Sequence, residues 1–130
     1  MNLAEIISIL NAGVITDQVP LQKTVDSAFC ADLMSDVLSF SVTKSLLITG
    51  LTNAQVIRTA DMAAIEVIVF IQGKRPDSQT IKLAEEKRIP LLVTELSMFE
   101  TCGKLYERGL RSHVHQLNQA PIATMRAKSL

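Results

Sequence analysis

Three turns in the sequence carry residue types that could bind an anion. They span residues 49–53, 72–76 and 94–97, and each leads from an apolar run into the start of a predicted helix. The first backbone N–H groups of a helix lack partners within it, and the helix dipole adds positive potential there. Gly50 and Gly73 would let the backbone approach a ligand closely, because glycine has no Cβ. This chemistry suits a phosphate or a carboxylate.

The second turn also contains two cations, Lys74 and Arg75, which would neutralise an anionic group. Ligands of open α/β sheets bind beyond the carboxyl ends of parallel strands, so we expect the three turns to share one edge. The sequence therefore predicts a site for an anionic metabolite or nucleotide. Its predicted lining residues are Gly50, Thr52, Asn53, Gly73, Lys74, Arg75 and Thr94. The alternative is structural, with glycines that make turns, polar residues that cap helices, and a solvated basic pair.

No signature of catalysis accompanies these turns. The phosphate-binding pattern GxxxxGK[ST], the dinucleotide pattern GxGxxG and the hydrolase pattern GxSxG do not occur in the sequence. No nucleophile, base and phosphate cradle occur together either. We therefore expect no catalytic residues, no cofactor and no enzymatic activity.

Two further groups of polar residues could bind a metal. His113 and His115 would share one face of a strand, but no Cys, Asp or Glu close by in the sequence completes a ligand set. Asp26, Asp32 and Asp36 could hold Mg²⁺ or exchange protons. The structural interpretation has Asp32 capping the helix that follows it. We predict no metal site.

The two cysteines, Cys30 and Cys102, are far apart in the sequence and form no CxxC pair. Cysteines in a chain without an export signal are usually reduced thiols that pack as small apolar side chains. We expect free, buried thiols here, with a disulfide or a reactive thiol as the alternative.

Length and charge restrict the class of protein. The chain has 130 residues, of which 48% are hydrophobic, and its 13 Lys and Arg balance its 13 Asp and Glu. This length suits one domain with its own core. Without net positive charge we expect no general nucleic-acid binding. The longest wholly apolar run, residues 67–71, is too short for a membrane helix, and the N-terminus does not resemble a signal peptide. These features favour a cytoplasmic protein that does not bind membranes.

Apolar runs at residues 45–49, 67–71 and 91–94 predict three strands, each followed by a helix. Strands that are apolar at every position are covered on both faces, which favours a parallel sheet between two layers of helices. The predicted helices cover about residues 53–64, 77–87 and 97–108. The preceding part predicts a helix from Asn2 that ends near Gly13, strands at 14–16 and 25–30, and a helix over 32–40.

The last helix has the clearest pattern. Ser97 and Glu100 form a capping box at its start. One face, predicted to be core rather than a partner-binding surface, carries Met98, Phe99, Cys102, Leu105, Tyr106 and Gly109. The periodicity stops after Leu110. We therefore predict a single domain over residues 1–110 and a tail or dimerisation arm over 111–130.

Residues 45–110 resemble the DRTGG domain family. The matching segments are SLLITGLTNAQVIRTADMA, IEVIVFIQGKRPDSQTIKLAEEKRIPLLVTE and LSMFETCGKLYERGL. The N-terminal segments MNLAEIISILNAGVIT and DSAFCADLMSDVL are similar to the small stand-alone members. Where the Asp-Arg of the motif would follow the first strand, the sequence has Gly-Leu-Thr-Asn at residues 50–53. Where Thr-Gly-Gly would follow the second strand, it has Ile-Gln-Gly at residues 71–73, so only Gly50 and Gly73 correspond.

The resemblance implies a three-layer α/β/α fold with a mostly parallel, mixed sheet, like that of the N-terminal domain of HPr kinase/phosphatase. It also implies a regulatory or dimer-forming role, because such domains are added to regulated pyrophosphatases and to phosphate acetyltransferases. The first hypothesis is a non-catalytic, self-associating module that senses an anionic metabolite or nucleotide. The alternative is a structural domain that docks a partner enzyme or a second copy. An accessory role in HPr serine phosphorylation is the third.

Overall fold

From β2 onward, strands and helices alternate along the chain. This computed structural model describes residues 1–112. The helices are α1 Leu3–Leu10, α2 Met34–Phe40, α3 Ala54–Met62, α4 Ser78–Glu86 and α5 Met98–Glu107. The strands are β1 Gly13–Val14, β2 Ser27–Cys30, β3 Ser45–Thr49, β4 Val67–Phe70 and β5 Leu91–Val93. None of the helices described combines the length and the apolar character needed to cross a membrane.

The described strands form one mixed sheet in the order β1-β5-β4-β3-β2. β2, β3, β4 and β5 run parallel, and helices connect them. β1 pairs antiparallel with β5, with Gly13 opposite Val93. The predicted α/β class and the mostly parallel, mixed sheet are confirmed.

The sheet is buried because helices cover both of its faces. Every residue of β3, β4 and β5 is buried. On one face, α1 and α5 pack over alternate strand residues such as Ile48 and Val69. On the other face, α2, α3 and α4 pack over Leu47, Ile68 and Phe70. This double coverage explains the continuous apolar runs and confirms the three layers.

The N-terminal elements are shorter than predicted. α1 does not end at Gly13, because Asn11 adopts the left-handed conformation (φ 47°) and ends the helix there. β1 covers only two residues instead of three. β2 begins at Ser27, since Val25 donates its N–H to the carbonyl of Met1 at 2.9 Å and so pairs with the start of the chain.

The apolar face of α5 is only partly core, which corrects the sequence-based interpretation. Leu105 is 1% exposed, whereas Phe99 is 88% and Tyr106 59% exposed. Consecutive helix residues are rotated by about 100°, so Phe99 and Tyr106 turn away from the sheet although Leu105 faces it. The predicted stripe spans a wider arc than the contact with the sheet covers.

The two phenylalanines Phe70 and Phe99 allow a matched test of this burial. Phe70→Ala should lower the free energy of unfolding by about 3–5 kcal/mol, because it leaves a cavity in the core. Phe99→Ala removes the same atoms from a position that is exposed in the single chain. At a protein concentration low enough to keep chains apart, it should change the free energy of unfolding by less than about 0.5 kcal/mol. Urea unfolding followed by circular dichroism measures both values. Equal losses for the two variants would contradict the burial described here.

Candidate functional site

The three strand-end turns meet at one edge of the sheet. Gln72 donates its N–H to the carbonyl of Leu96, and Gly73 donates to that of Thr94, both at 2.9 Å. The second turn also reaches the first, because Lys74 Nζ lies 3.5 Å from the position that a Cβ on Gly50 would take. The structure therefore brings together the turns that the sequence analysis placed at a common edge.

The side chain of Asp32 occupies the first turn. Its Oδ1 accepts hydrogen bonds from the N–H of Gly50 at 2.8 Å and from the hydroxyl of Thr49 at 2.9 Å. The prediction that Asp32 caps α2 is wrong, since Leu33 is the N-cap and makes no side-chain bond. β2 lies beside β3 in parallel, so the residues that follow β2 emerge next to Gly50. A carboxylate of the protein thus takes the amide that was predicted to bind an anion.

Asp26 and Asp36 do not join Asp32 in a metal site. Asp26 precedes β2 and Asp32 follows it, which places the two carboxylates at opposite ends of the strand. Across residues 1–112 the structure forms no group of three or more His, Cys, Asp or Glu that could hold a metal ion. His113 and His115 lie outside the described residues.

Glu95 covers the second turn. Gly73 has a positive φ of 67°, and a Cβ there would lie 2.7 Å from Glu95 Oε2. The lack of a side chain at Gly73 therefore makes room for a carboxylate of the same chain. The N–H of Gly73 is already bonded to the carbonyl of Thr94.

The remaining predicted residues divide into helix caps, a buried threonine and an exposed cation. Asn53 Oδ1 accepts the N–H of Val56 at 3.3 Å and caps α3, with Thr52 just before it. Thr94 is 2% exposed, and its hydroxyl donates to the carbonyl of Leu10 at 2.9 Å. Thr94 therefore ties the third turn to α1 and does not point outward. Arg75 is exposed beside Lys74.

The helix that follows the second turn begins at its own carboxylate. Asp77 caps α4, accepting the N–H of Thr80 at 2.8 Å. This bond, together with those from the Thr80 hydroxyl and the Gln79 N–H, lowers the pKa of Asp77 below its ordinary value. Ser97 caps α5 in a similar way, through the N–H of Glu100 at 3.1 Å. All three helix starts at this edge are capped by the protein.

We call the residues Asp32, Gly50, Gly73, Lys74 and Glu95 the strand-end cluster. Its charged groups are one ammonium and two carboxylates, with the Arg75 guanidinium alongside. Lys74 forms no salt bridge with the acidic residues of the described chain. The cluster can therefore offer one cation to an anionic group and two acceptors to hydroxyl or amino donors. A cavity of about 920 Å³ lies elsewhere, at the opposite ends of the strands, between the loop after β1 and the loop before β5.

The sequence analysis missed Asp32 and Glu95 as members of the cluster. Glu95 lies inside the third turn, so its position was a usable signal. Asp32 could be found only by recognising that residues 25–30 form a parallel strand beside β3, whose following residue would emerge at the same edge.

Two glycines allow a matched test of the second turn. Gly73→Ala should destabilise the protein by about 1–2 kcal/mol, because an L side chain is strained at this positive φ. Gly103→Ala, in α5, meets nothing within 4 Å and should stabilise the protein by up to about 1 kcal/mol. Thermal unfolding of both variants measures the difference. Stabilisation by Gly73→Ala would contradict the conformation described for this turn.

Comparisons with known proteins place this chain in a family. The model of the DRTGG domain matches residues 5–107. Five chains of solved structures also match. One is the crystal structure of the CBS and DRTGG domains of the regulatory region of Clostridium perfringens pyrophosphatase, complexed with the activator diadenosine tetraphosphate, with a TM-score of 0.64 and 13% identity.

The alignment with that structure covers 98% of this chain and 58% of the other, so this chain spans a little over half its length. No curated protein sequence matches this chain significantly. The family match extends from α1 to the end of α5, through every helix and strand described above. The chain therefore belongs to the DRTGG domain family.

Proposed function

We propose that this protein is a non-catalytic regulatory module that binds a nucleotide at the strand-end cluster. The observation that carries the proposal is the meeting of three strand-end turns, with the Lys74 ammonium beside Gly50. Lys74 has no salt-bridge partner among the described acidic residues. The solved pyrophosphatase structure lends support, because its regulatory region contains a DRTGG domain and is complexed with a nucleotide activator. None of the catalytic motifs named above occurs in these turns.

The charges of the cluster favour a nucleotide over a small inorganic anion. Lys74 is a compact cation suited to a phosphate oxygen, and Arg75 can add a second contact. Asp32 and Glu95 repel a bare phosphate but accept hydrogen bonds from ribose hydroxyls or from a base amino group. A ligand that carries both kinds of group satisfies the cation and the carboxylates together.

The other predicted residues have supporting roles in this proposal. Gly50 and Gly73 keep side chains out of the space around Lys74, Asp32 and Glu95. Thr52 and Asn53 lie at the start of α3 and would border the strand-end cluster. Thr94 acts at a distance, because its bond to Leu10 fixes the turn that carries Glu95. These assignments make Lys74 the residue whose loss should weaken binding most.

Calorimetric titration tests the proposal with ATP, diadenosine tetraphosphate and inorganic phosphate as probes. The nucleotides should bind more tightly than phosphate. Lys74→Gln should weaken nucleotide binding about tenfold or more, because a hydrogen bond to a charged group contributes about 1.5–3 kcal/mol. Lys104→Gln, on the exposed side of α5, is the matched control and should bind like wild type. No binding by wild type, or equal loss in both variants, would refute the site.

We further propose that the module self-associates and resides in the cytoplasm. Phe99 and Tyr106 support self-association, because these two aromatic side chains are exposed on α5. Aromatic side chains that become buried when two proteins bind contribute strongly to the interface. The predicted arm, residues 111–130, lies outside the described residues except for Arg111 and Ser112.

Light scattering coupled to size exclusion tests self-association with the full chain. We expect the mass of two chains, and Phe99→Ser should shift the mass toward that of one chain at low concentration. Lys104→Gln, five residues after Phe99 on α5, serves again as the control. A single-chain mass at every concentration would contradict this part of the proposal and would leave nucleotide binding unaffected.

A further inference from the structure

A groove of about 330 Å³ lies between the edge strand β2 and α5. Its lining includes Cys30 from β2 and Cys102 from α5, with Tyr106 and Arg111 alongside. The Arg111 guanidinium lies 3.8 Å from the centre of the Tyr106 ring. The groove therefore contains both cysteines of the chain.

The strand alternation turns Cys30 toward α5. Ala28 packs with the core cluster that includes Leu105 of α5, whereas Phe29 packs with the cluster on the opposite face. Cys30 is two residues after Ala28 and so projects from the same face as Ala28. Cys30 is exposed and Cys102 is half-buried, and both are free thiols in this structure.

The two thiols line the same groove, and Cys30 is close enough to act on the titration of Cys102. Burial chiefly, and then the hydrogen bond and charge of Cys30, raise the pKa of Cys102 to about 12. Cys102 is therefore protonated at neutral pH. The exposed Cys30 is the thiol that a dissolved oxidant meets first, and Cys102 is placed to react with the product.

We propose that Cys30 and Cys102 form a reversible intramolecular disulfide when the protein meets a peroxide. The Cys30 thiolate attacks one oxygen of hydrogen peroxide, breaks the O–O bond and becomes a sulfenic acid, while the released hydroxide takes a proton to form water. The Cys102 sulfur then attacks the Cys30 sulfur and loses its proton, and the hydroxyl leaves as a second water. Two thiols are oxidised and one peroxide is reduced to two waters. A dithiol reductant reverses the reaction.

The position of the pair gives the disulfide a structural effect. Cys30 ends β2 and is followed, after Ala31, by Asp32, whose carboxylate holds the N–H of Gly50. A covalent bond to α5 would restrict this segment and the edge strand that carries it. The oxidised protein should therefore unfold at a higher temperature than the reduced protein, because the bond also limits the unfolded chain.

The test uses the full chain, treated with hydrogen peroxide, alkylated with N-ethylmaleimide and analysed by intact mass and peptide mapping. Wild type should lose both alkylatable thiols and the mass of two hydrogen atoms, and should run as one chain on a non-reducing gel. Mapping should recover the peptides of Cys30 and Cys102 joined, and dithiothreitol should restore both thiols. This mapping needs no variant and so does not depend on how a variant folds.

Serine variants separate the two roles, with circular dichroism confirming their fold. In Cys102→Ser, Cys30 should form a sulfenic acid that dimedone traps. In Cys30→Ser, Cys102 should remain a thiol at the same peroxide dose. Two alkylatable thiols in oxidised wild type, or a disulfide only between chains, would overturn the proposal.

Discussion

A sheet that is covered by helices on both faces can present polar groups only where its strands stop. This constraint governs the molecule, because every residue of β3, β4 and β5 is buried and their backbone groups pair with neighbouring strands. The apolar side chains of these strands serve packing, and the polar ones, Ser45 and Thr49, lie at the two ends of β3. Any polar chemistry of the domain must therefore be placed in the turns, where the parallel direction of the strands gathers three of them at one edge.

At that edge the protein supplies its own anions. Asp32 accepts the N–H of Gly50, Glu95 lies against Gly73, and Asp77 caps α4. Asp32 and Asp77 occupy places where a free amide or a helix dipole would otherwise attract an external anion, and Glu95 fills the space beside Gly73. Lys74 is the cation among them. The result is an edge of mixed charge, which holds carboxylate acceptors beside a cation, and not a uniformly positive one.

The elements from β3 onward could be predicted because their signals are local. Continuous apolar runs mark β3, β4 and β5, and Asn53, Asp77 and Ser97 mark the helix starts. The contact between Asp32 and Gly50 could not be predicted in this way, since it depends on which strand lies beside β3. The outward turn of Phe99 depends on how α5 sits on the sheet, and a helical period alone does not contain that information. Local pattern therefore determined the elements, whereas strand order determined which side chains meet.

The two outer strands of the sheet, β1 and β2, are protected from pairing with another strand in different ways. β1 is only two residues long, and on the far side Ala28 of β2 donates its N–H to the carbonyl of Arg111 at 3.0 Å. A long strand margin with unpaired amides is a template for lateral growth into fibrils, and short or covered margins prevent it. Addition of a further strand at β1 or β2 is therefore disfavoured. Contacts between copies through helix surfaces, such as that of α5, are not restricted by these edge strands.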